Sequence, residues 1–160
     1  MTHSLTEPTT DDQYAVNDSN HVNVAYFSDT KTNSLYFLFF QDCSFNKLQS
    51  DTAIKVSFQG NMRVIGSSKC NRWFFKFNGN ECSGPMTIEA VVYNYWPSSD
   101  GNPNLLHHRS FEGYCENIPQ GTVRVELWVG PCPSYTLGDA HTGWNSVSRI
   151  MIEEVSRSKS

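Results

Sequence analysis

The feature of this sequence that most constrains its fold is an alternation of apolar and polar residues with a period of two. This alternation gives a strand one buried and one solvated face, and it recurs along most of the chain. The segments that show it most clearly are 54–58, 73–77, 87–92, 123–129 and 147–152. Turn formers separate them, at Gly60-Asn61, at 78–80 and in the proline-containing segment 97–104. No helical period is sustained for three turns. The sequence therefore predicts an all-β domain of seven or more strands, a sandwich or jelly roll.

Length and charge exclude several classes of protein. A chain of 160 residues is the size of one domain. Its net charge of -4 argues against a nucleic-acid partner, because nucleic-acid-binding domains usually present a basic face. The longest apolar run, 35–40, is far shorter than a membrane span. We therefore expect neither a nucleic-acid partner nor a membrane span.

The two ends of the chain are polar. Residues 1–12 lack the basic start and the apolar stretch of a signal peptide. We expect a flexible lead-in over residues 1–22, the β-sandwich domain over 23–155 and a disordered tail over 156–160. Asn17 lies in the one N-x-S/T sequon of the chain and is the candidate glycosylation site.

Five cysteines are spread along the chain without a C-x-x-C motif: Cys43, Cys70, Cys82, Cys115 and Cys132. The absence of paired short spacings argues against a zinc site. Two disulfides and one free thiol would suit an extracellular domain, whereas buried free cysteines would suit a cytosolic one. Five choices of the odd cysteine with three pairings each leave 15 arrangements open.

The segment 35–40, LYFLFF, breaks the alternation because both of its faces are apolar. An exposed strand of this kind would aggregate, so we expect one face to pack in the sandwich and the other against another subunit. The alternative is a central strand covered by a loop of its own chain. The subunit-interface candidates, which include one tryptophan on the polar face of a later strand, are Leu35, Tyr36, Phe37, Phe39 and Trp128.

The other three tryptophans lie in different settings. Trp96 stands beside Pro97 in the proline-containing loop, where an exposed aromatic side chain could anchor a partner. For Trp73 and Trp144 we expect packing inside the domain. A carbohydrate-binding jelly roll that uses Trp96 or Trp128 as a stacking platform is the alternative function.

No catalytic or metal-binding motif stands out. His107 and His108 are adjacent, so in a strand they face opposite sides and cannot share a metal ion. Asp139, near His141, is a weak calcium candidate, but calcium needs several oxygen ligands and an Asx-type turn explains the residue equally well. Neither a G-x-S-x-G motif nor a phosphate-binding loop occurs. We expect no enzymatic activity and no cofactor, and an enzyme built on a jelly roll is a distant alternative.

Long stretches of the chain resemble the C-terminal domain of the collagen triple-helix-repeat-containing protein family. The matching stretches are RWFFKFNGNECSGPMTIEAVVY from Arg72, SFEGYC from Ser110, VELWVG from Val125 and GDAHTGWNSVSRIMIEE from Gly138. The segment 43–64 matches more loosely, and the resemblance covers about residues 40–154.

The resemblance implies a secreted, non-enzymatic glycoprotein with a C1q/TNF-like jelly roll that forms homotrimers. In this family the trimer ends a short collagen stem, and members are associated with the extracellular matrix and with a Wnt, Frizzled and Ror-type receptor complex. Three features depart from the family pattern. The sequence carries no collagen repeat and no secretion signal, and its loop at 94–104 lacks the sequon expected there.

Overall fold

A computed structural model describes residues 14–18, 22–30, 38–97 and 104–157, with side chains described from Asp42 onward. These residues form ten strands and no helix. The strands are β1 (Tyr14–Asp18), β2 (Val22–Thr30), β3 (Leu38–Lys47), β4 (Thr52–Ile65), β5 (Lys69–Phe77), β6 (Asn80–Glu81), β7 (Glu89–Asn94), β8 (His107–Cys115), β9 (Gly121–Pro131) and β10 (Asp139–Ser156).

The strands form two antiparallel sheets. Sheet A has the order β1-β2-β10-β4-β8. Sheet B has the order β3-β9-β5, and both β6 and β7 pair with the remaining edge of β5. The prediction of an all-β domain is confirmed, and the two sheets enclose one core as in a β-sandwich.

The core follows the alternation in the sequence. The apolar positions of β4 and β9 face inward and are almost completely buried, and they comprise Ile54, Val56, Phe58, Val123, Val125, Leu127 and Val129. Trp73 on β5 is fully buried among them, which confirms the packing expected for it. Its indole nitrogen donates a hydrogen bond to the hydroxyl of Thr142 on β10, at 2.8 Å. This bond connects the two sheets through the middle of the core.

The turn expected at Gly60-Asn61 was wrong, because β4 continues through both residues. A Cβ atom on Gly60 would lie 2.4 Å from the Ser148 hydroxyl oxygen of β10 and 2.8 Å from the Phe58 ring. Gly60 therefore marks a close approach between neighbouring strands rather than a turn.

Part of the expected lead-in is also strand. β1 pairs with β2 in an antiparallel register, with Tyr14 opposite Tyr26 and Asp18 opposite Val22. The strand is held by backbone hydrogen bonds, which do not depend on the side chains, so the side-chain pattern of this segment did not predict it. Asn17, the glycosylation candidate, lies on β1 opposite Asn23. At the other end β10 reaches Ser156, the first residue of the expected tail.

Within the described residues, no helix is long and apolar enough to cross a membrane.

We predict that Gly60→Ala destabilises the domain by about 2 kcal/mol, because an added methyl group must displace Ser148 or Phe58 in a close-packed region. Urea unfolding of the variant measures the loss. As a control, Ser148→Gly in the Gly60→Ala background removes the nearest obstacle and should restore part of the stability. Unfolding of Gly60→Ala at the urea concentration of the parent would contradict this account of the position.

Candidate functional site

Two disulfides fix the framework of the domain. Cys70 of β5 bonds to Cys132, which follows β9, and Cys82 bonds to Cys115 at the end of β8. The first bond joins two segments of sheet B, and the second ties the segment after β6 to sheet A. Cys43 is the free thiol. Of the 15 arrangements that the sequence left open, the structure contains the one in which Cys43 is unpaired and the other four cysteines form these two bonds. Disulfides are typical of proteins from oxidising compartments.

The free thiol of Cys43 has low reactivity near pH 7. Burial raises the pKa of Cys43 from 9.0 to about 11, and the negative charge of Asp42 adds to this effect. A thiol with so high a pKa is almost entirely protonated near pH 7, so it is a poor nucleophile and a poor metal ligand.

An aromatic row crosses the outer face of sheet B. The register places Phe39 of β3 beside Trp128 of β9, and Trp128 beside Phe74 of β5. Cations cover the rings, since the Arg72 guanidinium carbon lies 3.9 Å from the centre of the Phe74 ring and the Lys76 ammonium lies 4.1 Å from that of Trp128. Such contacts stabilise a ring by about 1 kcal/mol at partly exposed sites.

The aromatic row contains two of the predicted interface residues and one that sequence reasoning missed. Trp128 is half-buried and Phe39 lies beside it in the ladder, whereas Leu35, Tyr36 and Phe37 lie outside the described residues. Phe74 is 1% exposed although it lies on the face opposite the core. The doublet Phe74-Phe75 was the available signal, because adjacent aromatic residues in a strand make both faces apolar.

Carboxylates hold the cation at the end of the aromatic row. Arg72 forms ion pairs with Glu81 of β6 and Glu89 of β7, and Thr87 donates a hydrogen bond to Glu81. Burial alone would raise the pKa of Glu81, but the hydrogen bonds from Arg72 and Thr87 outweigh it and lower that pKa. These ion pairs connect the side chains of β5, β6 and β7.

A second surface lies at the opposite edge of the sandwich, and we call it the edge surface. Its six large apolar side chains are all exposed, and they are Val91, Tyr93, Tyr95, Trp96, Leu105 and Tyr135. The rings of Tyr93 and Tyr135 meet edge to face with centres 5.4 Å apart. The Ser67 hydroxyl donates a hydrogen bond to the Trp96 carbonyl oxygen at 2.8 Å, which holds this segment against the domain. Trp96 is 42% exposed, as expected for a loop anchor.

A cleft opens between the two sheets beside the edge surface. Its volume is about 120 Å³, and its lining residues are Met62, Val64, Val92, Tyr93, Asn94, Leu105, His107 and Arg109. Met62 and Val64 are core residues of β4 and form an apolar floor. His107 and Arg109 come from β8 and are exposed at the rim.

The histidines and the calcium candidate have separate settings. His107 and His108 are both exposed, and only His107 lines the cleft. The Asp139 carboxylate lies 3.2 Å from the His141 imidazole and 3.7 Å from the Arg63 guanidinium, so two basic groups already face it. In the part of the chain that the structure describes, no group of three or more histidine, cysteine, aspartate or glutamate residues is placed to hold a metal ion.

Trp144 does not pack inside the domain, so the expectation for it was wrong. It is 40% exposed, on a bulge of β10 where the register shifts between Thr142 and Val147. Gly143, Trp144 and Asn145 all adopt positive φ, of 86°, 41° and 53°. An alternating pattern cannot reveal such a bulge, because extra residues change which face the following side chains occupy.

We predict that the Cys43 thiol of the folded domain reacts slowly with a disulfide reagent at pH 7 and about tenfold faster per pH unit up to its pKa near 11. The thiolate is the reactive form, and its fraction rises tenfold per unit below the pKa. Absorbance of the released thiol gives the rate, and the unreduced protein in urea should release one equivalent per chain. Cys43→Ser is the control and should release none. A fast reaction at pH 7 in the folded state would refute the protonated thiol.

A comparison with protein families identifies the family of this chain. The model of the family described as CTHRC1, C-terminal domain, matches residues 19–152, which include strands β2 to β9, both disulfides and most of β10. The match covers the aromatic row, the edge surface and the bulge at Trp144. The chain therefore belongs to the CTHRC1 C-terminal domain family.

Proposed function

We propose that this domain is a secreted, non-enzymatic, homotrimeric binding module of the extracellular matrix that acts in Wnt-related signalling. The observation that carries the proposal is the family match over residues 19–152. The two disulfides support an extracellular setting, because such bonds form and persist in oxidising compartments.

The strand order supports a jelly roll of the C1q/TNF type. Both sheets are antiparallel, and the chain crosses from one sheet to the other repeatedly, between β2 and β3, β3 and β4, and β4 and β5. Two packed antiparallel sheets with such crossings are the arrangement of a jelly roll.

The aromatic row supports an interface between subunits. Phe39 pairs with Trp128 in the ladder between β3 and β9, and β3 is an edge strand of sheet B. Leu35, Tyr36 and Phe37 immediately precede this strand in the sequence and extend its aromatic character. Trp128 is only half-buried within the domain, so a second copy can bury the part of its surface that stays exposed.

A trimer explains how the module would act. Three copies of each binding surface on one particle gain avidity for a partner that offers several sites. A collagen stem in the full-length protein would be brought into register by the same trimer. By the family resemblance, the partners are components of a Wnt, Frizzled and Ror-type receptor complex.

We predict a solution mass near three times 18.1 kDa for the purified domain under non-reducing conditions, measured by light scattering. Trp128→Glu should lower the mass toward that of the monomer, because it places a charge within the aromatic row. Trp96→Glu, at the opposite edge, is the matched control and should leave the mass unchanged. A monomeric parent protein would refute the trimer, and a trimeric Trp128→Glu variant would refute this interface.

Carbohydrate binding is the second candidate function, and the exposure of Trp96 favours it. The Ser67 hydroxyl holds the Trp96 backbone, and the Trp96 side chain is exposed, so its ring can stack on a sugar. Trp128 is less suited to this role, since Lys76 covers its ring.

We predict that, if this second function holds, the domain binds a subset of a glycan array and that Trp96→Ala lowers the signal at least tenfold by removing the stacking surface. Trp144→Ala removes an equally exposed indole elsewhere and is the matched control. Binding that is insensitive to Trp96→Ala would exclude this mode.

A further inference from the structure

We propose that the edge surface and its cleft bind an extended, acidic segment of a partner protein, which pairs with β7 and places one apolar side chain in the cleft. This inference rests on the proposed role as a binding module and identifies the face and the chemistry of the partner.

Exposed apolar side chains are concentrated at this edge. The described residues include eleven exposed large hydrophobic side chains, and six of them form the edge surface. Four of these six are tyrosine or tryptophan, which carry a polar atom on an apolar ring and dominate the binding energy of many protein interfaces. Tyrosine and tryptophan are enriched in protein interfaces relative to the rest of the surface, so this composition favours a protein partner.

Among the strands that the structure describes, β7 is an edge strand. β7 pairs with β5 on one side, through Lys69–Phe74, and no described strand pairs with its other side. A free edge presents backbone N–H and C=O groups that an extended peptide can bind, while the side chains beside it select the sequence. Val91 and Tyr93 project from β7 with about half of their surface exposed and can contact alternate side chains of that peptide.

The cleft accepts one side chain of moderate size. A cavity of about 150 Å³ in another protein holds benzene, so the 120 Å³ available here suits a branched aliphatic side chain or a small ring. Met62 and Val64 are almost completely buried at the floor. The apolar surface that an incoming side chain can contact therefore comes from Val92, Tyr93 and the exposed Leu105.

Arg109 gives the rim of the cleft a positive charge. His107, Arg109 and Phe111 lie on the same face of β8. Phe111 packs against the core, whereas His107 and Arg109 line the mouth of the cleft. Neither side chain forms an ion pair with any residue that the structure describes. The guanidinium of Arg109, on a chain with a net charge of -4, attracts a carboxylate placed beside the apolar anchor, and His107 can donate a hydrogen bond to the same group.

A displayed library of random twelve-residue peptides, selected on the purified domain, tests this proposal. We expect the enriched peptides to carry aspartate or glutamate on both sides of an apolar residue. Their affinity should fall at least tenfold with Arg109→Glu, which reverses the charge of the rim, and with Tyr93→Ser, which removes a contact from β7. Synthetic peptides N-methylated at alternate positions should bind at least tenfold more weakly, since they cannot complete the ladder.

Matched controls lie on the outer face of sheet A. His108→Glu changes the neighbouring residue of β8 on the other side of the strand, and Tyr114→Ser removes a tyrosine as exposed as Tyr93. Both should leave the affinity within twofold of the parent. Thermal unfolding of each variant separates loss of binding from loss of folding.

Other outcomes overturn the proposal. Enrichment of neutral or basic peptides, failure to enrich any peptide, or equal loss of affinity in the controls would refute it. A drop in solution mass with Tyr93→Ser would show that a second copy of the chain covers this edge, which also refutes it. A monomeric parent that still binds acidic peptides as described would refute the trimer while supporting this inference.

Discussion

The rest of the structure depends on the packing of the Trp73 indole between the two sheets. The indole fills this space, and its single polar hydrogen is satisfied by Thr142 of the opposite sheet. Burying an indole without a partner for this hydrogen would cost about 2 kcal/mol, so Thr142 makes full burial of the ring possible. The bond also fixes β10 immediately before its bulge, and thereby the position at which Trp144 leaves the sheet.

This central contact leaves the two edges of the sandwich free to differ. On one side the aromatic row reaches β3, and cations and carboxylates bound to one another cover much of it. On the other side the cleft lies between β7 and β8, and the aromatic side chains of the edge surface face solvent. The two edges therefore offer different chemistry, since one aromatic surface is covered by the chain's own charged side chains and the other is open to solvent.

Much of the fold could be predicted from the sequence because a half-buried strand must alternate. The segments around Val56, Phe75 and Leu127 are strands with the predicted inward faces. Contacts between residues distant in sequence could not be predicted in this way. Gly60 was mistaken for a turn because its neighbour Ser148 lies on another strand, and the disulfide pairing depends on distances that only the folded chain defines.

The candidate surfaces were predicted less completely. The exposure of Trp96 followed from its loop, and the outward position of Trp128 followed from the alternation. The cleft was missed because its floor belongs to β4 and its rim to β8, and no local pattern connects these strands. Trp144 was misplaced because it lies on a bulge, where the alternation that predicts burial is interrupted.

The distribution of the four tryptophans gives the domain an intrinsic optical probe. Trp73 is shielded from water, Trp128 is partly covered by a cation, and Trp96 and Trp144 are open to solvent at separate places. Their emission therefore combines a short-wavelength component from the core with a long-wavelength component from the surface. An event at one surface would change the long-wavelength component alone, whereas opening of the sandwich would change the short-wavelength component, so one spectrum distinguishes association from unfolding without an added label.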